Sequence, residues 1–400
     1  MICPEPSALQ ELVRELHQQA RPWLPAGSGS RLSWGPPVQP GVGESEALVI
    51  STSRLNRVVE HCAGDFTVTV EAGLPLQQLQ AELAAAQQWL AIDWPWGSGP
   101  LGEASGTVGG LVARGLSGGL RQRYLGIRDQ LIGVSLIRAD GTPAKAGGQV
   151  VKNVAGYDLM RLLAGSWGSL GLITSLTLRT YPLPPQRAGL WIRGSVAALE
   201  RMRQVCLAAA LLPQRLDWRL QPEEESGRAA LLLALVSVSR AAVDAQLQEH
   251  QQRAAELGLN VDLVSGDALQ ALEAEARGAS SHNRLASEQR WLLQLGVLPA
   301  HMQQLLRDGD CQGLQGTLAA GAGLGLAWAA AEALPAHRVE RLRRRCLELG
   351  GDLMVLAQPQ PHALPAWGDA PARAVIEAIK REFDPLQQLA RGRLPGVAPP

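Results

Sequence analysis

Apolar positions Leu9, Leu12, Val13 and Leu16 recur at helical spacing behind Ser7, which predicts a helix over 7–20 capped by that serine. A short apolar strand is expected at 47–51, then a helix at 53–62. Phe66 to Val70 alternates like a strand. Leu76, Leu79, Leu83 and Leu90 share one helical face, so 74–90 reads as a helix. A small-residue helix leads into Gly115. Residues 131–138 form a strand that runs into Asp140-Gly141, a hairpin signal. Asp158 is placed to cap a helical segment containing Leu159, Leu162 and Leu163, and a strand over 172–180 closes this half.

Tyr181-Pro182-Leu183-Pro184-Pro185 breaks the pattern and marks a boundary. Beyond it, strands are expected near 190–193, 214–220, 229–237, 261–264, 290–297 and 353–356. Helices are expected near 197–211, 240–257, 268–277, 299–307 and 336–349. The Gly- and Ala-rich run 318–331 suits packed strands and a turn. Residues 359–365 read as a second linker, followed by a helix over 372–383. The architecture expected is α+β, with 187–369 a cap built on an antiparallel sheet.

The chain has 400 residues, enough for two domains. Its formal net charge is zero, so electrostatics call for neither nucleic acid nor an anionic membrane. The five cysteines (Cys3, Cys62, Cys206, Cys311, Cys346) are scattered and never in CxxC spacing. That argues against a disulfide framework, a zinc site or an iron–sulfur cluster and for reduced thiols in a cytoplasmic protein. The seven histidines form no close-spaced pair, so no metal site is expected. The N-terminus lacks a basic region followed by an apolar stretch, and no apolar run is long enough to span a bilayer.

Candidate chemistry lies in three glycine clusters. The first is Pro25-Ala26-Gly27-Ser28-Gly29-Ser30-Arg31. The second is Gly106-Thr107-Val108-Gly109-Gly110, followed by Gly115-Leu116-Ser117-Gly118-Gly119. The third, within 147–179, includes Gly165-Ser166-Trp167-Gly168-Ser169-Leu170-Gly171. Glycine lets backbone approach a ligand closely and present bare N–H groups. Three such loops suggest a large phosphate-containing cofactor wrapped by backbone. The first loop is either a pyrophosphate site, through its N–H groups and the Ser28 and Ser30 hydroxyls, or an ordinary turn. The second serves ligand approach, tight packing, or both. Gly27 to Leu32 lacks the third glycine of GxGxxG, and no GxxxxGK[ST] occurs. Gly115 to Gly119 matches GxSxG, but the strand a nucleophile elbow requires does not precede it.

The order PxGxGS, VEAG (Val70 to Gly73), TxGG, ADG (Ala139 to Gly141), KNVAGYDL (Lys152 to Leu159) and GSxGxLGxIT resembles the FAD-binding domain of vanillyl-alcohol-oxidase-type (PCMH-type) flavoproteins. Within that group, Lys152 to Gly171 is most similar to the smaller FAD-binding subunit of glycolate oxidase. The resemblance covers roughly 20–182, with an echo from Phe383-Asp384-Pro385 to Arg393. It implies a two-subdomain FAD domain over 1–186, to which the tail 370–400 returns. It implies FAD contacts at Pro25, Ala26, Gly27, Ser28, Gly29, Ser30, Gly106, Thr107, Gly109, Gly110, Lys152, Asn153, Tyr157, Gly165, Ser166, Gly168, Gly171, Leu172 and Ile173. The turn from Gly168 would run beside the adenine or ribityl part, with backbone hydrogen bonds at Leu172 and Ile173.

No His or Cys lies within 25–31 or 97–119, so non-covalent FAD is expected. The activity implied is hydride transfer from a 2-hydroxy acid such as glycolate to the flavin. It would occur within a complex containing a larger FAD subunit and an iron–sulfur subunit, peripheral to the inner membrane through those partners. Two departures from the family bear on this. The cap has no HxGDGNxH-like stretch, and Ala390-Arg391-Gly392-Arg393 replaces NPGR. No catalytic base is evident. The alternatives are a structural or electron-relay flavin subunit and a stand-alone dehydrogenase of another alcohol.

Overall fold

A computed structural model of the chain describes residues 1–40, 47–93, 106–148, 157–221, 229–276, 289–360 and 364–398. The chain opens with α1 (Leu9–Gln18), which buries Leu9, Val13 and Leu16. These pack on Trp23 and Ile50 of a parallel pair, β1 (Trp23–Ala26) and β2 (Leu48–Ser51). Then follow β3 (Val58–Cys62), β4 (Thr67–Glu71), α2 (Leu76–Ala85), β5 (Gln88–Trp89), α3 (Val108–Arg114), α4 (Arg121–Tyr124) and α5 (Ile127–Gln130). The hairpin β6 (Leu131–Ile137) and β7 (Pro143–Gly147) turns at Asp140-Gly141 as expected, with Gly141 at φ +80°. β8 (Leu172–Arg179) and β9 (Tyr181–Pro182) complete this half. Five strands form an antiparallel sheet in the order β3-β4-β8-β6-β7, with α2 and α3 contributing to its core.

The second half is an antiparallel sheet of eight strands with helices packed on it. Its elements are β10 (Gln186–Arg193), α6 (Val196–Ala208), β11 (Arg215–Leu220), β12 (Ala229–Ser237), α7 (Arg240–Glu256), β13 (Asn260–Val264), α8 (Gly266–Ala276), β14 (Arg290–Gly296), α9 (Met302–Leu306), β15 (Gln315–Ala319), β16 (Leu324–Ala330), α10 (Ala336–Glu348) and β17 (Asp352–Ala357). The order is β13-β10-β12-β11-β15-β16-β14-β17. β12 reads as a continuous apolar run because both of its faces are covered. Leu231, Leu233 and Leu235 enter the main core with α6 and α7, while Leu232 and Ala234 meet Leu269 of α8. The run 318–331 is strand, turn and strand, as its composition suggested.

The final helix, α11 (Arg373–Phe383), leads the tail back to the first half. Gln388 Nε2 donates to Leu16 O (2.9 Å) and Arg21 O (3.1 Å). The Trp23 and Ala390 amides bond to Gln388 O and Trp23 O. Buried Lys380 donates to Ser169 O (2.8 Å) and Leu389 O (2.9 Å) and pairs with Asp384. The two halves meet at a tryptophan-rich cluster in which Trp34, Leu116 and Trp167 face Leu292, Trp328, Leu356, Ala366 and Trp367. A second junction is ionic: fully buried Arg215 pairs with Asp93 of the first half and with Asp217 (2.6 Å) of its own strand.

Several local expectations are corrected. The helix expected over 53–62 is a turn followed by strand β3, paired with β4. Leu55, Val58, Val59 and Cys62 mimic helical spacing, but adjacent β-branched residues favour extended backbone and a partner strand is at hand. The helix expected over 74–90 stops at Ala85, because Gln87 turns left-handed (φ +55°) to pair Gln88 and Trp89 with β9. Ser7 caps nothing: Pro6–Ala8 is a 3-10 turn, and α1 follows Ala8. Asp158 likewise makes no cap bond to the 3-10 turn Leu159–Leu162 and pairs instead with Arg161 at 2.9 Å. His250 is buried in α7, with its Nδ1 2.8 Å from Gln246 O.

Candidate functional site

The three glycine loops meet around one cleft that is open to solvent. The first wall is the loop that leaves β1. Its base is held by Thr52, whose amide and hydroxyl both donate to Ala26 O (2.8 and 3.1 Å). The Ser51 hydroxyl donates to Gly27 O (2.7 Å). Gly29 takes the left-handed conformation at φ +78°, which turns the loop back on itself.

The second wall is α3. Thr107 caps it by accepting from the Gly110 amide (3.2 Å), and Gly115 ends it at φ +64°. The packing role weighed for the second cluster is present at Gly109, and Gly27 of the first loop shares it. A Cβ on Gly27 would lie 2.1 Å from Thr107 Oγ1, and one on Gly109 would lie 2.8 Å from Ala72 O. These glycines seat one wall against the next. Ser117 of the GxSxG match sits in the loop after α3, not after a strand, so no nucleophile elbow forms.

The third wall runs from Trp167 to Ile173. Trp167 is a non-glycine residue at φ +55°, with its amide bonded to Ala113 O (2.8 Å). Such a conformation persists only where surroundings enforce it. Its buried ring stands edge-on to Trp367 at 5.0 Å between centroids, and Arg114 lies over the ring at 3.8 Å. The tail contributes Arg393, buried, 5.6 Å from the same ring.

Of the expected contacts, Pro25, Ala26, Gly27, Ser28, Gly29, Ser30, Gly106, Thr107, Gly109, Gly110, Gly168, Gly171, Leu172 and Ile173 line the cleft. Gly165 and Ser166 do not. Gly165 packs behind the wall against Gly115, and the Ser166 hydroxyl bonds to Leu163 O (2.9 Å). Tyr157 is 87% exposed and outside the lining. Lys152 and Asn153 lie outside the described residues. Sequence reasoning missed Arg31, Arg114, Trp167 and Arg393. The signal for Arg393 was its place in the C-terminal echo. Trp167 stood inside the third glycine motif and Arg114 between the two stretches of the second, side chains that the glycine argument passed over.

The cleft is electropositive, with no Asp or Glu among its described lining residues. Burial pushes Arg31 and Arg393 down to about 10, and Arg114 well below its usual range. For Arg114 the neighbouring charges of Arg393 and Arg31 add to the effect of burial. A buried cation under such strain calls for an anion. Backbone donors, hydroxyls and guanidiniums in one groove fit a diphosphate-bearing dinucleotide, so the residues present fit FAD. Among the described residues no cluster of potential metal ligands occurs, and no helix is long and apolar enough to cross a membrane.

Comparison with known proteins agrees with this geometry. The chain is 33% identical over 225 residues to the glycolate oxidase subunit GlcE of Escherichia coli, covering 56% of this chain and 57% of that one. It is 35% identical over 184 residues to a D-2-hydroxyglutarate dehydrogenase of Xanthomonas citri, covering 46% and 36%. It is 30% identical over 204 residues to the glycolate oxidase subunit GlcD of Bacillus subtilis, covering 50% and 41%. The matches thus span little more than half of one relative and well under half of the other two. A solved structure of alkyldihydroxyacetonephosphate synthase shares the fold, with a TM-score of 0.68 at 15% identity over 97% of this chain and 75% of that one. Residues 2–147 match the family described as FAD binding domain, so this part of the chain is a PCMH-type FAD-binding domain, with FAD as cofactor.

Proposed function

We propose that this chain is the FAD-binding subunit of a complex that oxidises small 2-hydroxy acids, with glycolate the first candidate. Residues 1–186 and the tail 370–400 form its flavin domain, and 187–369 its cap. The observation that carries the reading is the convergence of the three glycine loops on one electropositive cleft. The names of the relatives, which act on glycolate and D-2-hydroxyglutarate, support the substrate class. Bound FAD would supply the hydride acceptor for the alcohol carbon. The chain's own work is positional. The loop Gly27 to Ser30 holds phosphate oxygens through N–H groups and hydroxyls. Thr107 and the glycines after it keep α3 close to that loop, and the backbone at Leu172 and Ile173 borders the adenine or ribityl part. The flavin is held without a covalent bond.

One observation favours division of labour within the complex. The described lining of the cleft contains no Asp, Glu, His, Lys or Tyr to take the hydroxyl proton, and no described residue of 187–369 is part of it. Oxidation of an alcohol needs a placed base as well as an acceptor. A larger flavin subunit would therefore complete the chemistry, and an iron–sulfur subunit would carry electrons onward from a cytoplasmic assembly peripheral to the membrane.

The test is to purify the chain alone, record its visible spectrum, precipitate it with acid, and add glycolate or D-lactate without oxygen. A yellow protein that releases intact FAD, and bleaches only when both partners are co-expressed, is expected. Rapid bleaching of the isolated chain would overturn the division of labour. A protein that takes up no FAD would overturn the flavin reading.

A further inference from the structure

The cleft contains charged donors that the glycine loops leave unused. Arg393 is 1% exposed; its Nη1 donates to Leu32 O at 3.2 Å, while its Nε and Nη2 meet no acceptor among the described residues. Arg114 Nη2 donates to Arg31 O at 2.7 Å, and its buried Nη1 meets none. Neither pairs with a described carboxylate, yet both line the cleft and both lie against the Trp167 ring, at 3.8 and 5.6 Å from its centroid. Two like charges on one indole repel, and a buried cation persists at low cost only when an anion joins it. Trp167 takes a left-handed backbone conformation, which persists only where the surroundings enforce it, so the ring position against the two guanidiniums is fixed by the fold.

We propose that Arg114 and Arg393, seated on the Trp167 ring, are the charge partners of the diphosphate of the dinucleotide in the cleft. The inference rests on the flavin reading above. The formal charge of FAD resides in its diphosphate, doubly negative, which matches two guanidiniums lacking counter-charges. Position agrees as well. Both arginines bond to the carbonyls of residues 31 and 32, which directly continue the Gly27 to Ser30 loop. One end of the diphosphate on loop N–H groups and the other on the arginines uses both donor sets with a single ligand. The carboxylate of a substrate is the competing occupant.

The experiment compares native protein with Arg114→Met, Arg393→Met and Arg393→Lys. Each is stripped of flavin, titrated with FAD by fluorescence quenching, and melted without ligand. Loss of a charged hydrogen-bond partner should weaken FAD binding by about tenfold to a hundredfold in each Met variant. Arg393→Lys should recover part of the loss. The ligand-free Met variants should melt no lower than native, because an uncompensated buried charge has gone.

A purely structural role for the arginines predicts the reverse, lower melting without flavin, and would count against the proposal. Native FAD affinity in both Met variants overturns it outright. If those variants keep FAD but the loaded protein loses binding of oxalate, the arginines serve a substrate carboxylate instead. Native protein that binds no FAD overturns the flavin reading and this inference together.

Discussion

Gly27→Ala tests how the first loop is seated against α3. The added Cβ would lie 2.1 Å from Thr107 Oγ1, 2.8 Å from Cγ2 and 3.0 Å from Cβ. Rotating the threonine side chain moves the first two atoms and leaves the third, so one of the two backbones must shift. Overpacking of this kind costs about 1–3 kcal/mol. Thr107 is also the cap of α3, and displacing it costs about 1 kcal/mol more. Together Gly27→Ala should lose roughly 2–4 kcal/mol and should weaken FAD retention by parting two walls of the cleft. Thr107→Gly removes the obstacle at little cost, since glycine is nearly as good a cap as threonine. The double variant should then recover most of the loss, with a favourable coupling of about 1–3 kcal/mol. Denaturation midpoints of the four proteins, with FAD titrations in parallel, give the cycle. Additive losses, or Gly27→Ala at native stability, would refute the contact.

Lys380→Met leaves Asp384 buried and without its cation, at a cost of about 3–5 kcal/mol. Denaturation should show the loss, limited proteolysis should show a freed tail, and Lys380→Met with Asp384→Leu should regain much of it. Burial pushes the Asp217 carboxyl up to about 6 from 3.8. The folded protein then binds that proton more tightly than the unfolded chain, so this group's contribution is full below 3.8 and declines as pH rises through 6. Asp217→Asn should flatten that decline in denaturation midpoints measured across the window, and pH profiles that stay parallel would refute it. Cys3 is exposed, with its thiol lowered by the Ser53 hydrogen bond, whereas burial pushes Cys206 and Cys346 up to about 12. A thiol reagent should modify Cys3 first and the other two only on unfolding, and equal fast reaction of all three would contradict the packing.

Legibility followed the range of the interaction concerned. The hairpin at Asp140-Gly141, the helix before Gly115 and the continuous run of β12 were readable because turn chemistry and burial leave local traces. Residues 53–62 were misread because their spacing suits two structures, and the decision rests with β4, which pairs through a turn that ends in left-handed Phe66. Gln87 was beyond local reasoning for the same cause: its partner strand β9 lies far along the chain.

For the site, the sequence by itself determined that three glycine loops occur in an order resembling an FAD-binding domain, because the need for bare backbone is written in residue type. It also determined that the tail carries an echo of that domain. Only the tertiary structure decided that the loops share one cleft, that Gly27 and Gly109 are needed against Thr107 and Ala72, and that Tyr157 stands outside. It alone brought Arg114 and Arg393 onto Trp167 from places far apart in the chain. A glycine's purpose is local and can be read one residue at a time. The meaning of a buried charge depends on what lies within a few ångströms of it, and the fold alone sets that.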